Sequence, residues 1–146
     1  MKRKDQTNAG FSLVELIIVI AIMAVLVGVL APQFIKYVEN SRRAVDIQNA
    51  NEIRQAVIAG MADGIITVNM KRKAEEITGL EDILPNGAIP KLKGNVGNPT
   101  DRSFWVTVNM NTGICNVYNK DPDSEDEDLC DLTSYAGAEK YRNAGR

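Results

Sequence analysis

The chain has 146 residues, a length that suits one domain, with 17 Lys and Arg, 19 Asp and Glu, and no histidine. Without imidazole it lacks the commonest general base and metal ligand and every Ser-His or Cys-His pair, and it has no phosphate-cradling glycine loop of the P-loop type, so an enzyme is disfavoured. The net charge of −2 divides into +2 over the first ten residues (Lys2, Arg3, Lys4, Asp5) and therefore −4 over the rest, an acidity that speaks against nucleic-acid binding.

The basic leader runs into GFSLVELIIVIAIMAVLVGVLAP, Gly10 to Pro32. From Phe11 to Ala31 only Glu15 is charged. Roughly 20 apolar residues cross a hydrocarbon core of about 30 Å, so this run is long enough to span a membrane. The basic flank keeps the N-terminal side cytoplasmic and sends the rest outside. A secretory signal would have a shorter apolar part and a small-residue cleavage site after it; Gly28 to Ala31 is a weak exit, because helical sequence continues beyond it. Glu15 is the anomaly. An acid at the middle of a membrane helix costs about 2.5–3.5 kcal/mol on insertion scales. Near the end it costs less, and in the first turn it favours the helix dipole. One reading is a partly snorkelled acid at the helix start. The other supplies a cation. A cut between Gly10 and Phe11 would free the amine of Phe11, one turn before Glu15, in the same chain or a neighbour.

These residues resemble the class III signal and N-terminal helix of type IV pilins and type II secretion pseudopilins. The likeness lies in the short basic leader ending at Gly10, the following Phe11, Glu15, the unbroken apolar run and Pro32. It implies cleavage after Gly10 by a membrane-embedded prepilin peptidase and N-methylation of Phe11. It also implies assembly into a homo-oligomeric helical filament with these helices at its core, driven by an assembly ATPase and an inner-membrane platform protein. In that family the acid at the position of Glu15 docks a subunit by pairing with a neighbour's terminal amine. A glycine at position 10 suits cleavage, having no side chain to block backbone approach.

The next segment, from Pro32 to Asp63, continues as an amphipathic helix. Phe34, Tyr37, Val38, Val45, Ile53, Val57 and Met61 recur at near-helical spacing, with Lys36, Glu39, Arg42, Arg43, Asp46, Glu52 and Arg54 on other faces. Residues 11–62 would form one helix about 80 Å long. Pro32 removes a ladder hydrogen bond and Gly28 weakens the same turn, so a bend or local break is expected at Gly28–Pro32. In assembled filaments of the resembled family this region is often extended.

Beyond the helix, Gly64 to Met70 reads as a short strand or as the helix end, and Lys71 to Leu84 includes room for a short helix. Lys71, Arg72 and Lys73 read as a solvated basic face rather than a DNA contact. Asn86 to Asp101 is rich in Gly, Pro and Asn and reads as loop with a short edge strand near Ile89. SFWVTVNMNTGICNVYN carries the clearest strand signal. Phe104, Val106, Val108 and Met110 alternate, a turn falls around Asn111–Gly113, and Ile114 to Tyr118 follows. Trp105 faces away from Phe104, to cover a sheet edge or meet a neighbour. The resulting fold class is α+β: a long N-terminal helix, half transmembrane and half amphipathic, packed against a small antiparallel sheet. The expected divisions are leader 1–10, membrane and filament-core helix 11–31, amphipathic continuation 32–62 and β-rich head 63–146.

Cys115 and Cys130 bound a loop of 14 residues. In an exported domain a disulfide is the favoured reading, worth about 3 kcal/mol in the entropy description. Resembled pilins often carry such a cysteine-bounded C-terminal region. A redox role is disfavoured because the spacing is far from Cys-x-x-Cys. Between them, DPDSEDEDLCD is dense in carboxylates, and Asp121, Asp123, Glu125, Asp126 and Asp128 are candidate Ca²⁺ ligands, an idea sharpened by calcium in the C-terminal loops of secretion pseudopilins. The EF-hand spacing fails: the sixth position from Asp121 is Asp126 and the twelfth is Leu132. The tail from Asp131 to Arg146 reads equally as docked or mobile.

The expectation for function is a structural subunit, a major one because Glu15 is intact, of an extracellular type IV pilus serving adhesion, motility or surface contact. It would be stored as a single-pass protein of the cytoplasmic membrane before assembly. The alternatives are a pseudopilin of a secretion or DNA-uptake machine and a monomeric membrane-anchored binding module.

Overall fold

The computed structural model describes residues 11–96 and 101–144. Helix α1 spans Leu13–Ala62. It is followed by strand β1 (Met70–Lys73), a 3₁₀ turn (Ala74–Glu76), a one-turn helix α2 (Leu80–Ile83), strands β2 (Trp105–Asn109) and β3 (Ile114–Tyr118), and helix α3 (Tyr135–Asn143). The architecture is α+β, a long apolar N-terminal helix with a small three-stranded antiparallel sheet.

The chain divides into two compact units, one ending at Tyr37 and one beginning at Val38, so the division falls inside α1. In the first unit every residue from Phe11 to Tyr37 is exposed. This includes Phe34 and Tyr37, which the periodicity assigned to a buried face. The helix is uninterrupted through Gly28 and Pro32, so of the bend or local break expected there the break does not form. Proline deletes one donor, but melting the turn would free several more backbone groups, and in an apolar setting those have no water to satisfy them.

In the second unit α1 has a different character. Arg43, Asp46, Ala50, Ile53, Val57 and Gly60 are buried, spaced by three and four residues alternately, which marks one helix face. Gly64 adopts a left-handed φ of 73° and closes the helix. Ala50, Ile53 and Val57 join a core with Leu80, Phe104, Val106, Val117, Leu132 and Tyr141.

The sheet has the order β1-β2-β3, with both pairs antiparallel. Trp105 lies opposite Lys73 on one side and Tyr118 on the other. Val106 and Val108 are buried while Trp105 and Thr107 are half-buried, so the alternation expected for the hairpin holds. Its turn closes through Gly113 at φ 68°. The strand that was equivocal over Gly64 to Met70 starts only at Met70. No strand forms at Ile89. Pro90, next to it, has no N–H to give a ladder, and the segment is tied instead by the Leu92 N–H to the Arg102 carbonyl at 2.8 Å.

Candidate assembly site at the N-terminal helix

Glu15 lies in the first turn of α1, and its Oε2 accepts the backbone N–H of Ser12 at 2.8 Å. Ser12 precedes the first helical residue, so Ser12–Glu15 has the S-x-x-E spacing of a capping box, with the acid reaching back to satisfy an orphan donor. The acid therefore has a partner within its own chain. The S-x-x-E pattern before an apolar run is the sequence signal for it. Phe11 itself is 94% exposed. Gly10 lies outside the described residues. Among helices of the described residues, α1 alone is long and apolar enough to cross a membrane, and none of that apolar stretch is buried.

A second polar assembly, in the head, was not legible at all. Asp46 is completely buried. Its Oδ1 accepts the Lys93 N–H at 2.8 Å, and its Oδ2 accepts the Gly94 N–H and the Tyr141 hydroxyl, both at 2.7 Å. Burial first, and then the Asp46 carboxylate, pushes the Tyr141 hydroxyl well above its usual value. One turn earlier, Arg43 donates to Glu39 at 3.0 Å and to the main-chain carbonyls of Arg142 and Ala144. Glu39 also accepts the Asn95 N–H at 2.6 Å. The tail is therefore docked through α3, whose Ser134 side chain caps the Gly137 N–H at 3.0 Å. Gly94 is required by this packing: a Cβ there would sit 2.7 Å from the Tyr141 hydroxyl oxygen.

Residues 5–31 match the family model for the prokaryotic N-terminal methylation motif. A protein of Clostridium perfringens (strain 13 / Type A) named prepilin peptidase-dependent protein A is 33% identical over 104 residues, covering 66% of this chain and 74% of that protein. The chain belongs to the type IV pilin and type II secretion pseudopilin family. No solved structure matches it.

The structure departs from the disulfide expected in the head of this pilin-family chain and lends no support to the calcium site. Cys115 and Cys130 are both buried free thiols. The register explains why. Tyr118 bridges Asp131, the Asn119 N–H donates to the Cys130 carbonyl and the Leu132 N–H to the Val117 carbonyl. Cys130 therefore sits beside Asn119, four residues along from Cys115, a distance of about 13 Å at strand rise. A disulfide needs Cα atoms within about 7 Å. Burial raises both thiols, Cys115 to about 11, which disfavours the thiolate form.

The calcium ligands do not assemble either. Among the described residues no three His, Cys, Asp or Glu side chains form a group able to hold a metal. Asp123 pairs with Lys71 and Asp126 with Lys120. Glu125 and Asp128 add no third ligand: the Asp128 carbonyl, not its carboxylate, accepts from Asn119. The charge run is divided among lysines of the head, and the basic triplet on β1 is part of that pairing, with Lys73 3.0 Å from Asp101.

Proposed function

We propose that the chain is a structural subunit, a major one, of an extracellular type IV pilus. The observation that carries this reading is the first unit of α1: an apolar helix with every side chain exposed and one carboxylate in its first turn, inside a methylation motif. Apolar surface on that scale has to be covered by lipid or by other helices. Storage in the cytoplasmic membrane and packing in a filament core cover it in turn.

In this reading prepilin peptidase cuts between Gly10 and Phe11, and the new Phe11 amine is methylated. The relative's name, prepilin peptidase-dependent, supports the first step. Glu15 exchanges the Ser12 N–H for the terminal amine of a neighbour. An N–H accounts for only part of the carboxylate's bonding capacity, and a full positive charge in an apolar core attracts it more strongly. The Gly28–Pro32 turn is where the helix lengthens in the assembled state. An assembly ATPase and a platform protein supply the work, and the subunit itself performs no catalysis.

Electron microscopy of material sheared from cells tests the proposal. Long filaments composed of this chain, lost in a Glu15→Ala variant that still accumulates in the membrane, are the expected result. Retention of the wild-type chain in the envelope with no surface filaments would replace the pilus by a pseudopilus. Filaments undiminished by Glu15→Ala would remove the docking role.

A further inference from the structure

Of the asparagines in the chain, only Asn86 is followed by glycine. The pair lies just after α2, where Leu84, Pro85, Asn86 and Gly87 form a tight turn closed by the Gly87 N–H on the Leu84 carbonyl at 3.0 Å. Among the described residues only glycines have a positive φ, so Asn86 does not, and the turn is of type I with Pro85 in its favoured place. Gly87 itself is left-handed, at φ 61°. Both residues are exposed, and a Cβ at Gly87 would meet nothing within 4 Å. Other asparagines of the head are better guarded. The Asn119 side chain is bonded at both ends, to the Asp128 carbonyl and by the Cys130 N–H, and is 2% exposed. Asn109 accepts the Asn111 and Thr112 N–H groups, and Asn69 accepts that of Met110. Asn95 and Asn116 precede valine and Asn111 precedes threonine, whose branched side chains crowd the next amide. The Asn86 side chain has no such partner among the described residues and no such neighbour.

An open asparagine before an unhindered amide has a reaction of its own. The Gly87 main-chain nitrogen gives its proton to solvent base and attacks the side-chain carbonyl carbon of Asn86. The new N–C bond closes a succinimide ring, and the side-chain nitrogen takes up a proton and leaves as ammonia. Water then adds to either ring carbonyl and opens the ring. One opening yields an ordinary aspartyl residue. The other yields an isoaspartyl residue, in which the main chain runs through the side-chain carbon. Both carry a new carboxylate, and nothing is oxidised or reduced. Cyclisation requires the Asn86–Gly87 peptide to rotate out of the turn, which breaks the bond to Leu84. That one exposed bond is the guard, and its net strength corresponds to about tenfold protection. On either side the chain is anchored: Leu84 is buried and Ile89 packs on the core. The extra methylene of the isoaspartyl form falls on the exposed stretch between them and leaves the core in place.

We propose that Asn86–Gly87 is a self-modification site, where the folded head loses ammonia and gains a carboxylate without an enzyme. The new charge lies a few residues after the exposed acids Glu81 and Asp82, so this stretch grows more acidic with the age of the molecule. Its extent follows time and alkalinity rather than any partner.

The full-length protein in detergent is incubated in mildly alkaline and in mildly acidic buffer and sampled by peptide mass spectrometry. The peptide containing Asn86 should show the mass change from amide to acid before any other asparagine peptide, and faster in the alkaline buffer. Both products should form, told apart by the protease Asp-N, which cuts before aspartyl and not before isoaspartyl residues. The native rate should lie within about tenfold of the rate for the same chain unfolded in urea. Asn86→Gln should abolish the change at this position, because the larger ring it would need closes far more slowly. The proposal is overturned if position 86 stays unmodified in the native chain, or if its native rate falls more than about tenfold below the unfolded one. It is also overturned if another asparagine reacts first, or if only the aspartyl product appears, which would mean direct hydrolysis without the ring.

Discussion

The two parts of α1 treat burial in opposite ways. Up to Tyr37 the helix has its most hydrophobic residues, and all of them are exposed. From Val38 on it is far more polar, yet it buries Arg43 and Asp46 completely or nearly so. Hydropathy alone would have ranked these stretches the other way round. What decides is where the complementary groups are found. The second part meets its complement in the same chain, in the sheet, the loop at 92–95 and α3. The first part has no complement among the described residues, and apolar surface on that scale has to be covered from outside it. Side chains that need only apolar surroundings can wait for whatever supplies them. A buried carboxylate needs particular donors, and these are held at fixed positions by one fold.

The contrast can be broken from the head side first. Phe104→Ala should cost about 3–5 kcal/mol, since Phe104 is 1% exposed in the core. Thermal unfolding of the full chain in detergent measures this by near-UV circular dichroism. Next, Asp46→Ala leaves two N–H groups and a hydroxyl without their acceptor, a loss of about 2–4 kcal/mol. If it proved neutral, the polar clasp would be ornament and the contrast would reduce to apolar area.

Tyr141→Phe sharpens the comparison at a smaller cost, about 1–2 kcal/mol, because one donor to Asp46 is removed and two remain. It also has a signature in pH. The Tyr141 hydroxyl is raised in the folded state above its ordinary 10.0, so the neutral form is the one that folding favours. That contribution is complete below pH 10.0 and disappears as the pH climbs past 10.0 toward the folded value. The wild-type melting temperature should therefore fall above that point, and the decline should be shallower in Tyr141→Phe. Reductant should leave the melting temperature unchanged; a drop matching about 3 kcal/mol would reinstate the disulfide. The smallest effect belongs to the first unit. Leu26→Ala, at a position 49% exposed, should move head stability by less than about 0.5 kcal/mol. A larger change would mean that this surface is not independent of the head.

The features legible in the sequence are the ones written in local pattern. An apolar run interrupted only by Glu15, and alternation at Phe104, Val106 and Val108 followed by Asn-Thr-Gly, identify the helix and the hairpin without reference to anything distant. Arg43 and Asp46 fall off the apolar stripe of the helix, where a charged residue is normally exposed. Most of their partners are main-chain groups at residues 93–94 and 142–144, joined by the Tyr141 hydroxyl on Asp46, and no periodicity announces these. The cysteine pair misled for a related reason. Spacing sets the length of a loop, whereas the register of Tyr118 against Asp131 sets which residues meet across it. The tail helix left one local sign, a serine at position 134 able to cap the turn that follows.

Asp46 also imposes an order on synthesis. Its helix leaves the ribosome early, but its donors come 47, 48 and 95 residues later along the chain. Until residue 141 has been made, the Asp46 carboxylate lacks its hydroxyl donor on the face that must become the core. Closure of the head is therefore deferred to the end of synthesis. A chain halted partway keeps an open, proteolysable face, so truncated products would be removed before they accumulate.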